Sequence, residues 1–261
     1  MWGIIPAAGE GKRIQPLAFS KELLPVGVRE IANSRRPRAV SDFIVERMVL
    51  AGTSKLCFVI SPLKDDILRY HGSGTDYVHI FYEVQPQPLG LCDAVFRPEP
   101  VLQTEEEVLI GLPDTIWFPV DGFNRLPLNE FSLLLFPVAH PERFDAVLLD
   151  DESNVKEIQV KSRQARANWI WGGMRMPGRV FRELSALWRC RGKQDEYLGT
   201  LVNAWIAEGH RVLGVKAGTS YLDVGSVEGL HAAWRTLESG LEELVATSEN
   251  LQRPAGQQDS S

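Results

Sequence analysis

The sequence predicts an α/β fold: a Rossmann-like, mostly parallel sheet flanked by helices, followed by a smaller mixed lobe. Three observations carry this expectation. Apolar runs at residues 2–8, 55–60, 77–84 and 108–112 read as buried strands. Helical patterns stand between them, so the strands run parallel with helices on both faces. A glycine-rich, charged loop follows the first strand directly, and such sheets bind ligands beyond the carboxyl ends of their strands.

The elements follow in order. Residues 9–25 form the loop after the first strand. Ser41 stands as a helix N-cap and Gly52 as the stop of that helix. After the second strand, Ser61-Pro62 is expected to open another helix with proline at its first position. Loops after Ala8, Val84 and Leu112 all leave strand ends on one edge, which gathers them into one site. In the second half, residues 146–149 and 155–160 read as short strands joined by an Asp-Asp-Glu-Ser-Asn turn. A further strand is expected at 169–176, helices at 179–188 and 196–208, and extended segments at 212–216 and 221–222. From Ser226, Val227, Leu230, Trp234, Leu237, Leu241, Leu244 and Val245 recur at helical spacing. Residues 247–261 are polar and aperiodic and are expected to be disordered. Residues 1–246 thus read as one unit with a first part over about 1–120, a second lobe over about 121–220 and a C-terminal helix at 226–246.

Composition narrows the class of function. A net charge of -6 over 261 residues argues against a nucleic-acid surface, while a few local cations still suffice for a small anion. No apolar run approaches a membrane span and no targeting segment is visible, so a soluble cytoplasmic protein is expected. Cys57, Cys92 and Cys190 lack metal or redox spacing and read as three buried thiols. His71, His79, His140, His210 and His231 are scattered, without metal-ligand spacing. Homo-oligomerisation is left open.

The chemistry concentrates in Gly9-Glu-Gly-Lys-Arg-Ile-Gln-Pro16 and Ser20-Lys-Glu-Leu-Leu-Pro-Val26. Glycines let backbone N–H groups turn toward phosphate oxygens without obstruction by a Cβ. Arg13 and Lys21 add cations suited to a triphosphate.

With these residues the chain resembles the sugar-1-phosphate nucleotidyltransferases, whose signature runs roughly G-x-G-x-R, then P, then K-x-L-L-P-V. The resemblance extends to about residue 235 and is nearest to the glucose-1-phosphate thymidylyltransferase branch. It implies the nucleotide-diphospho-sugar transferase fold, with a nucleotide-binding first part and a sugar-binding second lobe. Gln85-Pro-Gln-Pro-Leu-Gly-Leu91 resembles the base-reading loop, with Gln85 pairing to a pyrimidine edge and Gly90 allowing close approach. Leu112-Pro-Asp114 and Tyr221-Leu-Asp-Val-Gly225 resemble the turns whose aspartates hold magnesium, which makes Asp114 and Asp223 the metal ligands and Mg²⁺ the cofactor. His140-Pro-Glu-Arg-Phe resembles the entry to the sugar lobe.

The resemblance implies that a nucleoside triphosphate, dTTP or UTP, and a sugar 1-phosphate are the partners, with neither nucleic acid nor membrane involved. Arg13, Lys21 and Lys161 are the implied catalytic cations. Ala8, Gly9, Gly11, Gln85 and Gly90 are the implied nucleotide contacts, and Lys161, Gly173 and Lys193 the implied sugar-phosphate contacts.

The chain departs from this pattern in the second lobe. Phe144-Asp145 replaces a tyrosine-glycine pair, and Val160-Lys161-Ser162 replaces glutamate-lysine-proline, so an expected acceptor for sugar hydroxyls is missing. Pro113 replaces a glycine, and residues 29–38 are longer and more basic than the usual link. Val160 and Asp145 are the only support for an alternative, a catalytically impaired binding module of the same fold. Arg13, Lys21, Asp114 and Asp223 together oppose it. A dinucleotide-binding oxidoreductase fails because Ile14 stands where a third glycine is needed.

Overall fold

The computed structural model describes residues 1–31 and 34–239. The first half runs β1 (Trp2–Pro6), β2 (Pro25–Ile31), β3 (Ser34–Ala39), α1 (Val40–Leu50), β4 (Lys55–Ile60), α2 (Asp65–His71), β5 (His79–Val84), α3 (Gly90–Phe96), β6 (Glu107–Gly111) and β7 (Thr115–Phe118). The second half adds β8 (Ser132–Pro137), β9 (Asp145–Leu149), β10 (Val155–Val160), β11 (Trp169–Pro177), α4 (Gly178–Cys190), α5 (Leu198–Ala207), β12 (Leu213–Val215), β13 (Ser220–Asp223) and α6 (Val227–Ser239).

One nine-stranded sheet joins the two halves, with a main path of β10-β9-β11-β6-β1-β4-β5 and with β8 and β12 attached through β11. The quartet β6, β1, β4 and β5 is parallel throughout. At β11 the direction reverses, with Gly173 opposite Gly111, and the mixed lobe begins. Central parallel strands are covered on both faces, which is why β1 and β4 are apolar without alternation. Successive residues nonetheless serve opposite faces. Ile4, Cys57, Val59 and Ile110 enter one core, whereas Ile5, Leu56, Phe58 and Leu109 enter the other. A third cluster, with Val26, Phe43 and Leu237, seats α6 against β2 and α1.

Several boundaries differ from expectation for identifiable reasons. Helix α1 begins at Val40, so Ser41 lies inside it. Ala39 is the N-cap, and its N–H donates to Asp42 Oδ2 at 3.1 Å while Ser41 Oγ pairs with His71 Nε2 at 2.9 Å. Ser61-Pro62 lies in a turn closed by Lys64 N–H to the Ser61 carbonyl at 3.0 Å, and α2 starts only at Asp65. The basic segment at 29–38 falls within the β2–β3 hairpin, where Arg29 reaches Asp42 at 3.2 Å and Arg38 lies 3.5 Å over the Phe43 ring. Cys57 and Cys92 are buried thiols, but Cys190 is exposed at the end of α4. The C-terminal helix is present to Ser239, and Trp234 Nε1 donates to the Pro25 carbonyl at 3.0 Å. Its expected continuation at 240–246, with Leu241, Leu244 and Val245, and the disordered tail expected at 247–261 lie outside the described residues. Among the described residues no helix is long and apolar enough to cross a membrane.

Candidate active site

The loops after β1, β5 and β6 open onto one cavity of about 750 Å³, which continues over the mixed lobe. Ala8, Gly9, Arg13, Lys21, Gln85, Gly90, Asp114, Lys161 and Asp223 all line it. The spacing of strands and loops therefore brings together residues more than 200 positions apart.

The glycine loop is shaped around Lys21. Gly11 has φ +68°, and a Cβ there would lie 2.9 Å from Lys21 Cδ, so the lysine stem passes because no side chain is present. Gly9 has open space beside it. The Lys21 ammonium forms an ion pair with Asp114 Oδ2, and each side chain is 14% exposed. Neighbours on either side of Lys21 hold it in place. Ser20 donates from N and Oγ to Asp66 at 2.7 and 2.6 Å. Glu22, 1% exposed, accepts from Lys64 Nζ at 2.8 Å on both oxygens, and the same ammonium donates to the Ala7 carbonyl at 2.6 Å. Burial pushes the Glu22 carboxyl up and the Lys64 ammonium down, against the mutual attraction of the pair.

The two aspartates are joined through the backbone. β13 pairs antiparallel with β7, placing Asp223 opposite Thr115, and Val224 N–H donates to the Asp114 carbonyl at 2.9 Å. Arg13 Nη1 donates to Asp223 Oδ2 at 2.8 Å, and Gly225 N–H to Oδ1 at 2.9 Å. A Cβ at Gly225 would lie 2.9 Å from Asp223 Oδ1, 3.0 Å from Arg13 Nη2 and 3.2 Å from Asp114 Oδ2. Two carboxylates and a guanidinium thus converge on one point that only glycine leaves open. Burial alone would raise the Asp114 carboxyl, but the Lys21 ammonium outweighs it and holds Asp114 below the usual carboxylate range. Lys21 is raised despite its own burial, chiefly by Asp114, and Arg13 is raised by its bond to Asp223.

This donor set fits magnesium. It offers two hard carboxylates, and Mg²⁺ is held by one or two carboxylates plus substrate phosphates rather than by a full protein cage. Among the described residues no group of three or more His, Cys, Asp or Glu gathers as such a cage.

At the far end of the nucleotide half, Gln85 is buried beneath the loop leading into α3. Its Nε2 donates to the Gly90 carbonyl at 3.1 Å and to Asp93 Oδ2 at 2.8 Å. Arg97 Nε donates to the same Asp93 oxygen at 2.9 Å. Gly90 has φ +90°, and a Cβ there would meet Glu196 Cγ at 2.7 Å, so glycine is needed both for the turn and for the close approach.

The mixed lobe supplies the opposite wall. Lys161 has φ +43°, and its ammonium stands 4.3 Å from the Tyr197 ring centroid. Asp145, Trp171, Glu196 and Tyr197 line the cavity beside it, with Arg143 at the rim. Burial raises the Asp145 carboxyl, opposed by the Trp171 indole N–H and by Lys161. Tyr221 stands between the two ends, and burial together with Asp223 and Asp114 lifts its hydroxyl well above the ordinary range.

Three expected contacts are not among the residues that line the cavity. Gly11 is turned toward the Lys21 stem and serves the site by letting that stem pass. Gly173 faces the core, where a Cβ would meet the Phe123 ring at 2.7 Å. The cause is a register shift between Trp171 and Gly173 in the β11–β8 ladder, which breaks the strict alternation that would have put both on one face. Lys193 lies just past the end of α4 at φ +59°. Its N–H donates to the Trp188 carbonyl at 2.9 Å and its ammonium stands 5.4 Å from the Trp188 ring, so it terminates the helix outside the cavity lining. Asp66, Lys64, Asp93 and Arg97 were not anticipated, since each acts through a neighbour and has no motif of its own. The one local signal was the i,i+4 spacing of Asp93 and Arg97.

Comparison with known proteins gives the family and the fold. The family model described as "Nucleotidyl transferase" matches residues 2–240. The chain is 26% identical over 245 residues to the glucose-1-phosphate thymidylyltransferase of Neisseria gonorrhoeae, covering 89% of this chain and 81% of that protein. It is 25% identical over 244 residues to the enzyme of the same name from Mycolicibacterium smegmatis, covering 88% and 80%. Among solved structures, the UTP-bound UGPase of Acinetobacter baumannii superposes with a TM-score of 0.70 at 19% identity, covering 96% of this chain and 97% of that one, a likeness of fold.

Proposed function

The chain belongs to the nucleotidyl transferase family, and from that premise we infer that it moves a nucleoside monophosphate from a pyrimidine triphosphate, dTTP or UTP, onto a sugar 1-phosphate. Pyrophosphate and a nucleotide sugar are the products. The observation that carries this reading is the convergence of the Lys21–Asp114 and Arg13–Asp223 pairs beside Gly225, in one cavity that Gln85 and Lys161 both line. That layout suits a triphosphate laid along the strand ends with an acceptor arriving from the mixed lobe.

In this reaction an acceptor phosphate oxygen attacks the α-phosphorus in line while pyrophosphate departs from the opposite side. The obstacle is the approach of two polyanions, so catalysis is chiefly positioning and neutralisation. Arg13 and Lys21 neutralise the triphosphate, and Lys161 holds the acceptor phosphate. Backbone groups of Ala8 and Gly9, which line the cavity, meet phosphate oxygens without side-chain obstruction, and Gly11 leaves room for the Lys21 stem beside them. Asp114 and Asp223 would hold Mg²⁺, which when bound adds positive charge to the phosphates. Gln85 reads the pyrimidine edge from below Gly90. The binding-module alternative gains no support, because both carboxylates and both cations stand together in the cavity.

The test is pyrophosphate release with common triphosphates against a panel of sugar 1-phosphates, with and without Mg²⁺. Turnover that requires a pyrimidine triphosphate, a sugar 1-phosphate and the metal supports the reading. Tight triphosphate binding with no release across the panel overturns it.

A further inference from the structure

On the antiparallel pair β9–β10, Asp145 stands directly opposite Val160. Directly opposed residues carry their side chains on the same face of a sheet. Val160 commits its side chain to packing, since its Cγ2 lies 2.7 Å from where a Cβ on Gly199 would be and it adjoins the main core cluster. The Asp145 carboxylate instead lines the cavity. Trp171 Nε1 donates to its Oδ2 at 3.3 Å, and the Lys161 backbone N–H donates to its Oδ1 at 3.3 Å. One donor on each oxygen leaves acceptor capacity on both, because an ionised carboxylate has about four acceptor positions.

We propose that Asp145 is a specificity-determining residue for the acceptor: its carboxylate takes hydrogen bonds from the hydroxyls of a neutral sugar phosphate, with Trp171 as its positioning residue. This rests on the acceptor being a sugar 1-phosphate, as inferred above. A carboxylate only accepts, so the group facing it must donate. Hydroxylated sugars satisfy that requirement. A sugar acid presents a second carboxylate and is repelled.

The experiment measures binding of glucose 1-phosphate, a set of its monodeoxy analogues and glucuronic acid 1-phosphate by calorimetry on the full chain. Steady-state KM values for acceptor and triphosphate accompany it. Asp145→Asn is expected to weaken glucose 1-phosphate binding by about 10- to 100-fold while leaving the triphosphate KM unchanged. At least one monodeoxy analogue should lose affinity in the wild type and lose none further in Asp145→Asn. Trp171→Phe keeps the ring, removes the donor, and should reproduce part of the acceptor effect alone. Preference for glucose 1-phosphate over glucuronic acid 1-phosphate should narrow in Asp145→Gly.

Unchanged acceptor affinity in Asp145→Asn and Trp171→Phe overturns the proposal, as does equal loss of acceptor and triphosphate affinity. A wild type that binds glucose 1-phosphate with the Asp145 dependence but releases no pyrophosphate sinks the transfer reading and leaves the contact standing. A wild type that binds none of these sugar phosphates overturns both.

Discussion

Gln85 donates from Nε2 to Asp93 Oδ2 at 2.8 Å, and that bond decides which end of the amide is left for a ligand. A carboxylate cannot donate, so the NH₂ end must face Asp93, and the carbonyl oxygen is the end free to accept from a base. Asp93 is itself held by Arg97. The orientation of the amide proposed to read the base is therefore set by a carboxylate eight residues away.

Replacing Asp93 by asparagine removes that constraint, because an amide partner can donate or accept. The ratio of kcat/KM for pyrimidine over purine triphosphates is expected to fall about 10-fold in Asp93→Asn, while overall folding is kept. Steady-state kinetics with UTP, dTTP and ATP measure the ratio. A wild-type ratio would show that the amide is held by something other than Asp93.

The Glu22–Lys64 pair is expected to govern stability. Glu22→Gln leaves a buried ammonium without its counter-charge, which costs about 3–5 kcal/mol. For a chain of this size the melting temperature should drop by roughly 6 °C or more. Scanning calorimetry reads this directly. A shift within a degree of wild type would mean that Lys64 escapes to water.

His71 gives a pH dependence. Its ring packs on Phe58 with centroids 4.7 Å apart, and burial lowers its pKa to about 4. Between that value and the unfolded value near 6.5 the unfolded chain binds a proton that the folded chain does not, so stability falls as pH falls through this window. The loss between pH 7 and pH 5 should be about 2 kcal/mol from this residue. Urea unfolding of the wild type and His71→Phe at both pH values separates the His71 share. Identical pH dependence in the two proteins would contradict the assignment.

How much of this was legible in the sequence depends on how local each signal is. Gly11, Lys21 and Leu24-Pro25 lie within fifteen residues, between β1 and the start of β2, and announce themselves together. The partners that fix Lys21 do not, since Asp114 lies 93 residues away and Asp66 46 residues away from its contact. The β2–β3 hairpin was hidden because Arg29, Arg35, Arg36 and Arg38 mask any apolar alternation. β8 is not legible although Leu133–Phe136 are fully buried and Asn129 and Pro137 flank them, because a short apolar run without alternation has no period that marks it as a strand. Gly173, a contact that only the resemblance implies, faces the core in this chain, and the register shift beside it leaves no mark in the sequence.

The central claim is tested most directly by following phosphorus resonances in a mixture of UTP or dTTP, glucose 1-phosphate and Mg²⁺, with wild type, Asp114→Asn and Lys21→Met. The account predicts that the wild type converts both substrates to pyrophosphate and a nucleotide-sugar diphosphate in equal amounts. Each variant should be slower by at least about 100-fold. Wild-type rates in Asp114→Asn, or release of pyrophosphate without a nucleotide-sugar diphosphate, would contradict it.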